Sequence, residues 1–287
     1  VIDQPQKIVA LVDGSVYSAS VCDHAAWISQ KIGAPVELIH VLGRREASDT
    51  HDHSGTIALG ARTALLEQLA ELDAQRAKLI SQRGRAILEY AQALMEKAGV
   101  TELTTRLRHG DLVDALADID TDARVIVIGK RGEAADFAKG HLGSNLERII
   151  RASRKPVFVA SRAFKPIRKV LVAFDGSASA MKAVDHIARS PLFGGLAVHV
   201  ITVGTETPEV AKGLAEARAA LHAAGIEAET LVLPGQPETA LAKLVEEAQF
   251  DLLVMGAYGH SRIRSLIIGS TTTAMIRACK VPVFLMR

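Results

Sequence analysis

The sequence predicts an α/β protein made of two copies of one domain, each a parallel sheet flanked by helices. Three observations carry this expectation. Short apolar runs alternate with longer amphipathic stretches along the whole chain, which is the pattern of βαβ units. The runs are dominated by Val and Ile without polar alternation, as in strands buried on both faces. The chain also matches itself: KIVALVDGS (7–15) returns as KVLVAFDGS (169–177).

That match pairs Asp13 with Asp175 at an offset of 162, and the same offset pairs Val41 with Val203. Further along, Gly110 pairs with Gly235, Gly129 with Gly256 and Pro156 with Pro282, at offsets of 125 to 127. The first half therefore carries an insertion of about 37 residues between Val41 and Gly110. The expected domains are 1–163 and 164–287. They are joined by the short SRAFKP (161–166), and so brief a junction implies that the halves pack together.

The expected strands of the first half are 7–12, 35–41, 102–107, 124–129 and 156–160. Those of the second are 169–174, 196–203, 228–233, 251–256 and 282–286. Asp13-Gly14-Ser15 and Asp175-Gly176-Ser177 stand where the first strand of each half turns into a helix, with the composition of an N-cap. The insertion covers roughly 43–100. Its start, 44–56, is polar and reads as a loop. Residues 58–98 place Leu65, Leu69, Leu72, Leu79, Ile87, Ala91, Leu94 and Ala98 close to a helical period, with Gly84 as an expected break or bend. Such a helix would outreach a small sheet at ~1.5 Å per residue. It is expected to cover the sheet and to contact the other half or a second chain.

Composition narrows the function. At 287 residues with 48% hydrophobic content, the chain can fill two cores, but at 4% aromatics it must fill them with aliphatic side chains. A formal charge of +2 with so few rings argues against nucleic acid as the main partner. Cys22 and Cys279 lie far apart without CxxC spacing, so neither a disulfide framework nor a zinc site is expected. Both are expected to be small core residues, and Trp27 to pack its helix on the sheet. No apolar run approaches ~18–20 residues, and the N-terminus lacks a signal peptide pattern, so the expectation is a cytoplasmic protein without a membrane partner.

The strongest local signal lies after the fourth strand of each half. The run ending in Met255 leads into Gly256, Gly259, Gly269 and Ser270, and then a helical stretch containing Thr272. In the first half the same place holds Gly129, Gly132, Gly143 and Ser144. Where a buried strand becomes a helix, backbone N–H groups are unpaired and the helix dipole is positive, so glycines and a hydroxyl there can cradle a phosphate. His260, Arg262 and Arg264 add cations to the second loop.

Asp13 and Asp175, these two glycine-serine signatures and the terminal PVFV and PVFL strands together resemble the universal stress protein family, in tandem form. The resemblance spans nearly the whole chain except the insertion. It implies Rossmann-like domains of the adenine-nucleotide alpha-hydrolase-like kind, each with five parallel strands in the order 3-2-1-4-5. It also implies ATP, ADP or AMP bound between strands 1 and 4, with Mg²⁺ able to accompany ATP. By position, Asp175 would meet the adenosine and the Val203 backbone the adenine edge, beside Met255. Gly256 and Gly259 would approach ribose and phosphate, and Gly269, Ser270 and Thr272 would bind phosphates. The corresponding first-half set is Asp13, Val41, Gly129, Gly132, Gly143 and Ser144. That half departs from the pattern: its loop has ten residues between Gly132 and Gly143 rather than nine, and Leu146 replaces Thr272. Glu133 and Asp136 lie in this loop, offset by Lys130, Arg131 and Lys139. The second half is the better expected site. The family's terminal strands form pairing edges, which implies a pseudo-twofold pair of halves and is compatible with a homodimer.

Simpler roles stand beside these. The glycines can serve tight turns alone, and the two aspartates can be helix caps. His51-Asp52-His53 is expected to be a solvated loop rather than a metal site. There is no P-loop, no GxGxxG and no GxSxG, so no catalytic constellation is expected, and ATP hydrolysis would be weak at most. Three functions stay open: a nucleotide-binding sensor or regulator in the stress response, an ATP-using transferase, and an interaction module with degenerate sites.

Overall fold

The computed structural model describes residues 6–43, 59–119, 122–132, 143–256 and 270–286. The strands of the first half are β1 (Lys7–Leu11), β2 (Val36–Leu42), β3 (Leu103–His109), β4 (Ala123–Gly129) and β5 (Val157–Ala160). Those of the second are β6 (Lys169–Ala173), β7 (Ala197–Val203), β8 (Ala228–Leu233), β9 (Leu252–Gly256) and β10 (Val283–Met286). Each end falls within two residues of the expected one. All ten share one sheet in the order β3-β2-β1-β4-β5-β10-β9-β6-β7-β8, which is 3-2-1-4-5 twice, back to back. Neighbours run parallel except β5 and β10, which pair antiparallel with Phe284 opposite Phe158.

The helices are α1 (Ser18–Ile32), α2 (Leu59–Lys97), α3 (Leu112–Ile119), α4 (Ser144–Ala152), α5 (Ala178–Arg189), α6 (Pro208–Ala223), α7 (Pro237–Glu247) and α8 (Ser270–Ala278). Local chemistry sets several ends. Gly33 closes α1 in the left-handed region at φ 62°, with its N–H on the Ser29 carbonyl. Thr207 caps α6 by accepting from the Val210 N–H, and Pro208 follows in the first turn, where its missing N–H costs nothing.

Successive side chains of each strand enter opposite layers. Ile8 and Ala10 join a core with α1, α2, α5 and α6, whereas Val9 and Leu11 join one with α3, α4, α7 and α8. Both cores run across the two halves. Several rings of the chain gather where the halves meet. Phe158 and Phe284 lie 5.6 Å apart between centroids, Phe193 stacks on Phe284, and Trp27 reaches Phe158.

The insertion helix α2 is continuous from Leu59 to Lys97, and Gly84 does not break it. A Cβ at Gly84 would lie 2.8 Å from Leu107 Cδ1 and 3.1 Å from both His40 Cδ2 and Leu42 Cδ2. The glycine lets the helix press closely on β2 and β3. Beyond it, Leu88, Ala91 and Met95 are buried in the core. Among the described residues no helix is long and apolar enough to cross a membrane.

Candidate functional site

The sheet order places a switch point in each half. β1 lies between β2 and β4, and β6 between β7 and β9. The helices that follow β1 and β6, α1 and α5, cover one face, while α4 and α8, which follow β4 and β9, cover the other. The segments leaving each such strand pair diverge and leave a crevice at their C-terminal ends, the usual ligand position in open α/β sheets.

In the first half the carboxylate at this crevice is engaged by the chain itself. Asp13 Oδ1 accepts from the Ser15 N–H at 3.0 Å and from the Ser18 hydroxyl at 3.2 Å. Ser18 Oγ in turn accepts from the N–H groups of Asp13 and Gly14, the latter at 3.0 Å with Gly14 at φ 77°. A Cβ at Gly132 would lie 2.9 Å from Asp13 Oδ2, so the glycine loop sits directly on the carboxylate. A Cβ at Gly143 would lie 3.4 Å from both Arg131 Cα and Gly132 N, which brings the start of α4 onto the same loop. Gly129 passes Tyr17 so closely that a Cβ would meet the Tyr17 Cβ at 2.8 Å. The structure thus gathers Asp13, Gly129, Gly132 and Gly143, with Ser144 opening α4 and Val41 half-buried at the end of β2.

Lys130 leaves this loop altogether. Its Nζ donates to the carbonyl of Cys279, at the end of α8 in the other half. Burial, with Arg131 adding to it, pushes the ammonium down to about 8. The lysine expected to offset acidic charge beside the phosphate loop therefore serves as a C-terminal cap across the junction.

The second crevice has the same frame, and its aspartate has different surroundings. Asp175 is exposed, and its Oδ1 accepts from the Ser177 N–H at 2.9 Å. Position 180, which matches Ser18, is a buried Ala, so no hydroxyl stands over this carboxylate from there. Neither aspartate is the helix cap that sequence allows: Ser177 caps α5, and Tyr17 precedes α1. Both carboxylates instead close a short turn onto the amide two residues on, with Gly14 and Gly176 at positive φ. Gly256 ends β9 against α5, where a Cβ would lie 2.8 Å from Ser179 Oγ and 3.0 Å from its Cβ. Met255 is buried and pairs with Ala173 of β6, and Val203 ends β7 half-buried.

Ser270 begins α8, and Thr272 is buried on it, at the position where Leu146 is buried on α4. Gly259, Gly269, His260, Arg262 and Arg264 lie outside the described residues, as do Lys139, Glu133, Asp136 and the His51-Asp52-His53 run. Sequence reasoning missed Ser18, Tyr17 and Ser179, whose spacing after the DGS motif was the available signal. Cys22 and Cys279 are both buried thiols, pushed up to about 12 and about 11 by burial. Among the described residues no group of three His, Cys, Asp or Glu side chains converges on a metal position.

Comparison with known proteins agrees with this architecture. The sequence model of the universal stress protein family matches residues 5–161 and again 166–287. Universal stress protein Slr1230 of Synechocystis is 40% identical over 98% of this chain and 100% of its own length. A universal stress protein structure from Archaeoglobus fulgidus shares the fold, with a TM-score of 0.73 at 23% identity, covering 98% of both chains. The chain belongs to the universal stress protein family and carries two tandem copies of its domain.

Proposed function

We propose that the protein binds an adenine nucleotide in the crevice of its second half and acts as a sensor or regulator in the stress response. Residues 1–163 and 164–287 would be the two domains, and the two family matches support that division. The observation that carries the reading is the contrast at the two aspartates. Asp13 is half-buried under Ser18 and Gly132, whereas Asp175 is exposed and accepts from the Ser177 N–H. An exposed carboxylate at a switch point can accept from ribose hydroxyls or the adenine amino group. The first-turn amides of α8, with Ser270 and Thr272, would take phosphate. Gly256 lets α5 close on the end of β9, beside the position the nucleoside would take. ATP, ADP and AMP all fit this scheme. Mg²⁺ arriving with ATP would be held mainly by the phosphates, since the described residues supply no acidic cluster for it.

The role proposed is binding rather than turnover. Occupancy would act by favouring one conformation or partner through differential affinity. Two buried, unpaired cysteines suit a reducing compartment, and we place the protein in the cytoplasm on that ground. Calorimetry with ATP, ADP and AMP tests the site. One nucleotide per chain is expected, with Asp175→Ala weakening it by about tenfold or more, as loss of a hydrogen bond to a charged group does. Asp13→Ala should leave affinity unchanged. The assignment fails if no heat of binding appears, or if Asp13→Ala is the damaging variant.

A further inference from the structure

The helix that would take phosphate in the second half receives a cation from the first. α8 has nine residues, a length at which a helix is marginal alone and depends on what packs against it. Met275, Ile276 and Cys279 hold one face of it in the core. At its C-terminal end the Cys279 N–H closes the last turn on the Met275 carbonyl at 2.9 Å, and the Cys279 carbonyl accepts from Lys130 Nζ. Lys130 extends from the turn after β4, next to the point where Gly129 closes on Tyr17. An ammonium at this end of a helix is favourable, because the macrodipole is negative there.

The tie runs in one direction. Between the repeats Lys130 matches Ala257 and Cys279 matches Ser153, and alanine has no amine to return the contact to α4. The helix held across the junction is therefore the one at the crevice of the exposed Asp175. Resting on the nucleotide reading above, we propose that Lys130 is a positioning residue for the second site: by holding the C-terminal end of α8 it sets the first-turn amides at the other end for phosphate. The charges around this contact are few. Arg131 follows Lys130 on its turn, Arg277 in the last turn of α8 is exposed, and Lys280 is paired with Glu246 of α7 at 2.8 Å. Burial, with Arg131 adding to it, brings the Lys130 ammonium down to about 8, so its charge is lost as pH rises through that value. The Cys279 thiol, pushed up to about 11 by burial, stays neutral there.

Calorimetry with ADP on the whole protein tests this, with urea unfolding run beside it. At neutral pH Lys130→Met should bind ADP about threefold to tenfold more weakly, the range a charge at a helix end commands. Wild-type affinity should be full below about pH 8 and fall by a similar factor above it, whereas Lys130→Met should show no such fall. Lys130→Arg, whose guanidinium keeps its charge throughout, should restore the affinity and abolish the fall. A tie that only joins the halves would lower the urea midpoint and leave affinity flat with pH. If the wild type binds ADP and Lys130→Met binds it equally well, or keeps the wild-type pH profile, the positioning role is wrong while the site stands. A wild type that binds no adenine nucleotide overturns the site and this role together.

Discussion

The two crevices start from matching residues and end differently, and one neighbour accounts for much of the difference. Over Asp13 stands Ser18, which binds the carboxylate and two backbone amides at once. Over Asp175 the same position is Ala180, and the carboxylate faces solvent. The glycine signature is therefore only half of a binding site. Its other half is what the following helix leaves unoccupied.

The same pairing of halves can be pushed at other points. His24 and His186 are related by the offset of 162 and pack against Phe158 and Phe284 respectively. His24 is fully buried, with Nδ1 2.6 Å from the Ser20 carbonyl and no hydrogen-bond partner for Nε2, and burial pushes it down to about 4. His186 is half-buried and lowered for the same reason, with Arg124 adding to it. Between the ordinary value near 6.5 and about 4, the unfolded chain holds the proton that folded His24 refuses. Stability is full above that ordinary value and falls as pH drops through this window, by up to about 3 kcal/mol from this residue. Urea unfolding at neutral pH and near pH 4 should show the fall, and His24→Phe should remove more of it than His186→Phe. An acid slope untouched by His24→Phe would show that the buried imidazole is not its source.

A smaller effect tests where the halves should agree. Gly129→Ala and Gly256→Ala each bring a methyl to 2.8 Å from the first turn of the next helix, on Tyr17 and Ser179. Both should lose about 1–3 kcal/mol in denaturant titrations, the usual cost of overpacking. A large loss in one with none in the other would mean that the two backbones pack differently. Smallest is Ser18→Ala, which copies Ala180 into the first half. It should cost about 1 kcal/mol through lost hydrogen bonds, seen as a lower urea midpoint. If stability is unchanged, Ser18 does not hold the Asp13 turn.

What could be read from sequence followed from how local its causes were. The strands were legible because Val and Ile runs buried on both faces leave little else for those residues to be, as Val9 and Ile126 show with 0% exposure. The order of strands followed from the family resemblance. The insertion was legible as a helix, from residues of which only the later ones pack. Leu65, Leu72 and Leu79 of its period lie in solvent, whereas Ile87, Ala91 and Leu94 of the same period pack on the core beside Leu88 and Met95, which were not read. Gly84 was misread because its reason, Leu107 and His40 across the layer, is not local. Lys130 was hidden for the same reason, since its acceptor is 149 residues away. Of the site, the strand ends and turns were legible, whereas the Ser18 lock needed coordinates.

The union of β5 with β10 inside one chain has a consequence for how such a protein can change over time. When identical subunits meet across that seam, any alteration appears twice, and both cavities gain or lose together. Covalent fusion removes that constraint and, by keeping the halves at high local concentration, spares the seam from dilution. One half is then at liberty to become scaffold, stiffened by its own serine and lending a lysine to its neighbour.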